Sequence, residues 1–250
     1  MKVGEVIEAR TEEFLAESDS LHQPPPLGSL VWVRDGPSTS SPSAESAGRT
    51  GHDGNRIYAV VGSAATGSRE PGRPAVALGQ SEEDLPKTYP HLSKLLRTTF
   101  AGLVVGHETV ESTIRPTTEA EGTFTPHLSV GYRGTNGVPG STDETSASAC
   151  GLVRHYLPPR PAQLHSFVYL AQPEEVRRFT ASLDFLPILA SGEHDEALCA
   201  CLRLAAQAYP DPSAFLMAAA KELVPLLASD AGRLQAVLLR LRPSHAGLRP

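Results

Sequence analysis

The best candidate for phosphate chemistry is the segment GSAATGS at residues 62–68, which follows a strongly apolar stretch and contains two glycines separated by four residues. A phosphate-binding loop has this glycine spacing, but it continues with a lysine that reaches the β and γ phosphates. Ser68 stands at that position here. The sequence therefore predicts a turn between two strands, and no nucleotide-binding site, at these residues.

Thiol chemistry is limited to three cysteines, Cys150, Cys199 and Cys201. Cys199 and Cys201 are two residues apart in a segment with helical periodicity, so their side chains point about 200° apart and do not converge on one metal ion. We expect Cys201 to lie in the core. An odd and sparse set of cysteines argues against a secreted disulfide framework and favours reduced thiols.

Three histidines, His107, His155 and His165, lie in or beside predicted strands. No cysteine or carboxylate accompanies them in a known ligand spacing, and the sequence lacks the motifs G-x-S-x-G, H-E-x-x-H and C-x-x-C. We therefore predict no catalytic, cofactor-binding or metal-binding residue. A hydrolase that uses His155 or His165 is kept as an alternative.

Charged residues are spread along the chain, with 22 basic and 28 acidic side chains and a formal net charge of −6. Because a nucleic-acid interface needs a basic patch, direct nucleic-acid binding is not expected. Arg177, Arg178 and the arginines of the last predicted helix are interpreted as complements to helix dipoles. Adjacent acidic residues are interpreted as solvated faces or helix starts at Glu12 and Glu13, Glu82 and Glu83, and Glu174 and Glu175.

Targeting and membrane segments are not expected. No stretch approaches the roughly 18 uninterrupted apolar residues of a membrane span. The mixed charges of the opening segment MKVGEVIEAR are unlike the apolar region of a secretion signal. Together with the cysteine pattern, these features predict a cytoplasmic protein with no membrane partner.

Short strands are predicted throughout the first 171 residues. The segment RIYAVVGSA is the clearest of them, because it is rich in β-branched and aromatic residues and almost continuously apolar, and we expect it to be central. A short helix is expected at residues 90–98. The predicted strands are two within residues 1–18 and one each at 29–33, 56–64, 74–79, 100–107, 152–157 and 164–170.

Two segments interrupt this strand pattern, at residues 36–55 and 108–149. Both are rich in small and polar residues and poor in large apolar ones. Such segments bury too little apolar surface to offset the entropy lost on ordering. We therefore predict disordered insertions within a barrel domain that spans residues 1–171.

The apolar period changes from 2 to 3.6 residues near residue 172, which predicts an all-α C-terminal domain at 172–250 built from about four helices. Asp211, followed by Pro212, and Asp230 are the predicted helix starts. Pro225 is predicted to end or kink its helix. The predicted fold class is α+β, with a small Greek-key-like β-barrel followed by a helical bundle.

Several segments resemble the HAS barrel, the small barrel shared by HerA-type DNA helicases and the α and β subunits of F-type ATP synthase. These segments are VGEVIEARTEEFLAES at residues 3–18, PPPLGSLVWV at 24–33 and IYAVVGSAATGSREPGRPAVALG at 57–79. Residues 154–176 are similar to the segment that leads out of that barrel. The whole chain resembles a mainly cyanobacterial group of HAS-barrel, or HerA-barrel, domain proteins with a helical tail and no ATPase core.

The resemblance implies a role in assembly, because HAS barrels lie at the subunit contacts of ring ATPases and in HerA contact the nuclease NurA. It transfers no catalytic residue, since neither Walker motif is present. We therefore expect a non-catalytic interaction or assembly module whose partner is a ring ATPase, a nuclease or a second copy of the chain. An accessory factor in DNA processing beside a HerA-like helicase is the alternative.

Overall fold

The computed structural model describes residues 1–35, 55–70, 72–81, 83–109 and 151–242. Within these ranges the chain forms seven strands and seven helices. The strands are β1 (Lys2–Ala9), β2 (Glu13–Ser18), β3 (Leu30–Asp35), β4 (Asn55–Ser68), β5 (Leu96–Thr109), β6 (Leu152–Arg154) and β7 (Phe167–Leu170). The helices are α1 (Leu85–Thr88), α2 (Leu92–Leu95), α3 (Pro173–Thr180), α4 (Leu186–Ser191), α5 (Asp195–Ala206), α6 (Pro212–Leu226) and α7 (Ala231–Leu241).

Six strands close into an antiparallel barrel in the order β2-β1-β7-β3-β4-β5, with β2 pairing back onto β5. β6 pairs with the C-terminal end of β5, from His107 opposite Arg154 to Thr109 opposite Leu152. Closure pairs edges that an open sheet would leave exposed. The barrel and the helices that follow it confirm the predicted mixture of strands and helices.

The barrel wall is apolar on both faces where the helices cover it. On β4, Ile57, Ala59 and Val61 belong to the barrel interior, whereas Tyr58 and Val60 pack against the helices. Because alternate strand residues face opposite sides, a strand covered on both faces is almost continuously apolar in sequence. This arrangement explains the sequence pattern of β4 and confirms that it is central.

Helix α5 is the centre of the helical region and contacts α3, α4, α6, α7 and β4. Its side chains Leu198 and Leu202 are fully buried. They share one apolar core with Tyr58, Val60 and other residues on the outer face of the barrel. The helices therefore cover the barrel wall through a continuous core. None of the described helices has the length and apolarity needed to cross a lipid bilayer.

The helix ends in this region follow the predicted capping residues. Asp211 accepts a hydrogen bond from the Ala214 backbone N at 3.0 Å, and Asp230 accepts one from the Arg233 backbone N at 2.9 Å. Each aspartate satisfies a backbone donor that a helix N-terminus leaves without an internal partner. Pro225 lies in the last turn of α6. The predicted starts at Asp211 and Asp230 are confirmed.

Residues 62–68 form the second half of β4, so the predicted turn is wrong. They pair with the first half of β5, from Ser63 opposite Ala101 to Ser68 opposite Leu96. We call this paired segment the β4–β5 arm (residues 63–68 and 96–101). Strand β2 pairs with residues 99–101 on the other side of β5. Small residues have a weak intrinsic preference for strands, and here the ladder with β5 overrides that preference.

Several other boundaries differ from the sequence expectation. Strands β6 and β7 are each three residues shorter than the strands predicted at 152–157 and 164–170. Residues 74–79 are not a strand, and Val76 is 72% exposed, because no neighbouring strand pairs with this segment. Residues 96–98 of the predicted helix belong to β5. Asn55, Glu108 and Thr109, at the limits of the predicted insertions, are paired strand residues. The predicted insertions otherwise fall on residues 36–54 and 110–149, which lie outside the described residues.

Candidate functional site

The cysteines in the described residues are structural. Cys199 and Cys201 are buried on α5, and the Cys199 thiol is 3.9 Å from the backbone carbonyl oxygen of Val237. Burial raises the pKa of the Cys201 thiol to about 12 and also raises the pKa of Cys199. Both thiols therefore stay protonated and unreactive at neutral pH. The prediction that Cys201 lies in the core is confirmed, and Cys150 lies outside the described residues.

The three candidate histidines have separate surroundings. His107 Nδ1 is 3.1 Å from the backbone oxygen of Tyr156, and His155 Nε2 is 2.9 Å from that of Phe179. His165 is exposed and pairs with Glu5, Nδ1 to Oε1, at 2.7 Å. The described part of the chain contains no cluster of three histidine, cysteine or acidic residues positioned to hold a metal ion.

One open groove brings a histidine, a serine and an aspartate close together. The groove has a volume of about 490 Å³ and is lined by His155, Ser182 and Asp184, among others. The Ser182 hydroxyl donates a hydrogen bond to Asp184, while Nε2 of His155 is bonded to the Phe179 backbone oxygen. A nucleophile and its base would instead need to be bonded to each other. These bonds therefore do not form a hydrolytic pair.

The His155 imidazole is held in its neutral form by its surroundings. It packs edge-on against the Phe179 ring at 4.7 Å between centroids, and burial lowers its pKa below the ordinary value of 6.5. The unfolded state therefore binds more protons than the native state just below pH 6.5. The stabilising effect of neutral His155 is complete above pH 6.5 and is lost as the pH falls from 6.5 toward the native pKa.

Replacing His155 with glutamine, which keeps an N–H donor but does not titrate, is expected to flatten the pH dependence of stability. Urea unfolding of both proteins between about pH 7.5 and about pH 5 measures this effect as the slope of the unfolding free energy against pH. The wild-type slope below pH 6.5 should be the steeper. Equal slopes, with the His155 imidazole titrating at 6.5 by NMR, would contradict the assignment.

A buried polar network joins α3 to the barrel. Arg56 and Glu108 are opposite one another on β4 and β5, and α3 presents Glu175 and Arg178 one turn apart. Arg56 pairs with Glu175 at 2.7 Å, and Arg178 pairs with Glu108 at 2.5 Å. We call these four residues and Tyr58 the α3 seam. A basic and an acidic residue are neighbours across the two strands, and an acidic and a basic residue are neighbours along α3. Reversing α3 would place like charges together, so only one placement of α3 pairs all four charges.

The hydroxyl of Tyr58 completes the α3 seam. It donates to Glu108 Oε2 at 2.9 Å and accepts from Arg178 at 3.1 Å. Burial, followed by the charge of Glu108, raises the pKa of Tyr58. The phenol therefore remains a hydrogen-bond donor at neutral pH. The seam positions a helix on the barrel, and its charges pair with each other, although Arg178 also lines the groove that contains His155.

Several of the arginines in the helical region are similarly engaged within the protein. Arg177 donates to the backbone oxygen of Ala208 at 2.8 Å. Arg233 pairs with Asp195 at 2.7 Å, and Arg240 pairs with Glu196 at 2.9 Å. These side chains satisfy acidic groups and helix ends of the same fold.

Helix α6 is apolar on its solvent side as well as on its buried side. Phe215, Ala219 and Leu223 are buried, whereas Met217 is 60% exposed and Val224 is 47% exposed. At 100° per residue, Met217 and Val224 fall together on the side opposite the buried residues. We define the α6 outer face as the exposed residues Ser213, Ala214, Met217, Ala218, Lys221, Val224 and Pro225.

The α6 outer face was not predicted from sequence, although the pattern was present. The buried residues of α6 recur at helical spacing, and the positions between them are alanine, methionine and valine with few charges. A surface helix normally places charged residues there, so a helix that is apolar all round indicates further burial.

Three features stand out so far: a groove without a hydrolytic pair, a structural network at the α3 seam, and an exposed apolar helix face. Of these three, the α6 outer face combines exposure with a composition that favours contact with another molecule. No protein-family model matches this sequence, and no curated protein matches it.

Proposed function

We propose that this chain is a non-catalytic interaction module that binds a partner protein through the α6 outer face. The observation that carries the proposal is the exposure of Met217 and Val224 on a helix whose other side is already buried. Seven residues of this face include one charged side chain, Lys221. A partner groove that is apolar, with an acidic group near Lys221, has the complementary chemistry.

The HAS-barrel resemblance contributes to the proposal through its role in assembly. A closed six-stranded antiparallel barrel is compatible with that family, but unrelated families also contain small barrels. We propose that the barrel has the HAS type of Greek-key arrangement and that the helices form a C-terminal bundle. In this proposal the helical face supplies the partner contact, with a ring ATPase or its associated nuclease as the first partners to test.

The alternative proposal is an accessory role beside a DNA-processing motor. In this role the protein would contact the motor and would not bind DNA directly. The internal pairing of Arg233 and Arg240 supports this distinction, since paired arginines contribute less to phosphate neutralisation. A salt-sensitive gel shift with duplex DNA would favour direct binding instead.

The test is a binding measurement with the double variant Met217→Lys and Val224→Lys. Tagged wild-type protein is used to capture a partner from cells that express it, the partner is identified and purified, and the affinity is measured by titration. Because two ammonium groups would have to be desolvated in an apolar interface, we expect at least a tenfold loss of affinity, equivalent to about 1.4 kcal/mol.

A matched control adds two lysines at exposed apolar positions outside α6, Val76→Lys and Leu164→Lys. This variant should bind the partner as wild type does, and both variants should melt as wild type does because all four sites are exposed. Equal affinity of the α6 variant and wild type for every purified partner would refute the α6 outer face as the binding surface.

A further inference from the structure

The β4–β5 arm has an unpaired strand edge. On one side of β4, residues 63–68 pair with β5. On the other side, β3 pairs with β4 only as far as Val60, and Val61 is bonded to Gly28 and Ser29 of the preceding loop. Beyond Val61, no strand among the described residues pairs with this edge. The free edge of residues 63–68 is roughly 20 Å long at the usual rise of a strand.

This edge lacks the usual protection against strand pairing. Natural edge strands carry charged residues, prolines or bulges that prevent another strand from adding to them. Residues 63–68 contain neither charge nor proline, and the register shift of β4 lies before them, between Val61 and Ser63. Four consecutive residues, from Ser63 to Thr66, are exposed. Because successive residues of a strand point to opposite faces of the sheet, both faces are exposed here, and an added strand would meet no side chain packed over the free edge.

We propose that this edge is a self-association site, at which two copies of the chain pair their β4 strands antiparallel about a twofold axis. The groups on offer are backbone N–H and C=O groups, so the complementary partner is another strand edge. In a twofold arrangement the same patch serves both subunits, and it must be complementary to itself.

The sequence of the edge meets this requirement of self-complementarity. With the axis through the midpoint of the Ala65 pair, Ala65 faces its own copy, Ala64 faces Thr66 and Ser63 faces Gly67. Small uncharged pairs of this kind bring no steric overlap and no like-charge repulsion between opposite strands. The result is one continuous sheet in which the β4 edges of the two copies meet and each β4 keeps its β5 neighbour. The small contact area predicts a weak, concentration-dependent dimer.

The test uses opposite charges at one exposed position of the full-length chain. Ala65→Lys and Ala65→Glu each place like charges close together across the twofold axis, so each variant alone should be monomeric. An equimolar mixture of the two should form a heterodimer. Sedimentation equilibrium from about 1 µM to about 1 mM, the range of transient complexes, measures the mass of wild type, of each variant and of the mixture.

The expected result is a wild-type mass that rises from monomer toward dimer, loss of the dimer in each variant, and its return in the mixture. Amide hydrogen exchange at residues 63–67 should slow with increasing wild-type concentration. A wild-type protein that stays monomeric, or variants that dimerise as wild type does, would overturn the proposal. Loss of the dimer in Met217→Lys/Val224→Lys would also overturn it, because the contact would then involve α6.

Discussion

Replacing Gly28 with alanine is expected to lower the unfolding free energy by on the order of 4 kcal/mol. Single substitutions cause losses of this size only when they disrupt the core or the backbone. Gly28 has a φ of 82°, in the left-handed region where a side chain alone costs about 1–2 kcal/mol. A Cβ at this position would lie 2.4 Å from the backbone N of Cys201 and 2.5 Å from the backbone C of Ala200. The loop before β3 would have to withdraw from α5.

The effect should spread from the loop to the barrel, because the Gly28 backbone N also donates to the Val61 oxygen at 2.8 Å. Urea unfolding followed by circular dichroism measures the loss. The control is Gly67→Ala on the β4–β5 arm, where an added Cβ meets no atom within 4 Å. That variant should be as stable as wild type or up to about 1 kcal/mol more stable, since glycine weakens strands. Similar stability of the two alanine variants would contradict the close approach of loop and helix.

Replacing either Glu108 or Arg178 alone is expected to lower the unfolding free energy by about 3 kcal/mol, because the ion pair between them is broken. This value is at the lower end of the range for removing one partner of a buried pair, since Arg178 is partly exposed. Glu108→Met leaves the guanidinium group facing Tyr58, and Arg178→Met leaves a buried carboxylate. The double variant should be more stable than the sum of the two losses predicts, because neither charge then remains without its partner.

A double-mutant cycle from urea unfolding gives the coupling energy of this pair. The cycle should also be measured with Tyr58→Phe in all four proteins, because the phenol otherwise loses both partners in the double variant. The exposed pair Arg10 and Glu13, at 2.9 Å, is the matched control. Its coupling should be below about 1 kcal/mol, as for other exposed pairs. A coupling no larger than that of the control would show that the pair between Glu108 and Arg178 does not help to position α3.

Local sequence was sufficient to predict the features that depend on neighbouring residues. Asp211 and Asp230 cap their helices with side-chain oxygens that reach backbone N–H groups three residues ahead. The continuous apolar pattern of β4 required two covered faces, and the closed barrel with helices on its outside provides them. These predictions succeeded because capping and periodicity are decided within a few residues of the chain.

The strand limits depended on pairing that is not encoded locally. Residues 74–79 include Val76 and Leu78 and are more apolar than residues 63–68, which consist of small residues. Only residues 63–68 have a neighbouring strand, β5, that satisfies their backbone groups. The sequence pattern places Glu108 in a polar insertion because the residues after it are polar. Its strand position and burial follow from contacts with Tyr58 and Arg178, which lie 50 and 70 residues away along the sequence.

The sequence by itself determined that most strands precede the main helices, where α6 and α7 begin, and that no recognised catalytic motif is present. The tertiary structure decided which surfaces remain uncovered. The outer face of α6 and the free edge of β4 are exposed because no other described element packs against them, and that depends on how the whole chain is arranged. Hydrophobic burial and strand pairing are satisfied between distant segments, so the surfaces available to partners appear only once those segments have been assembled.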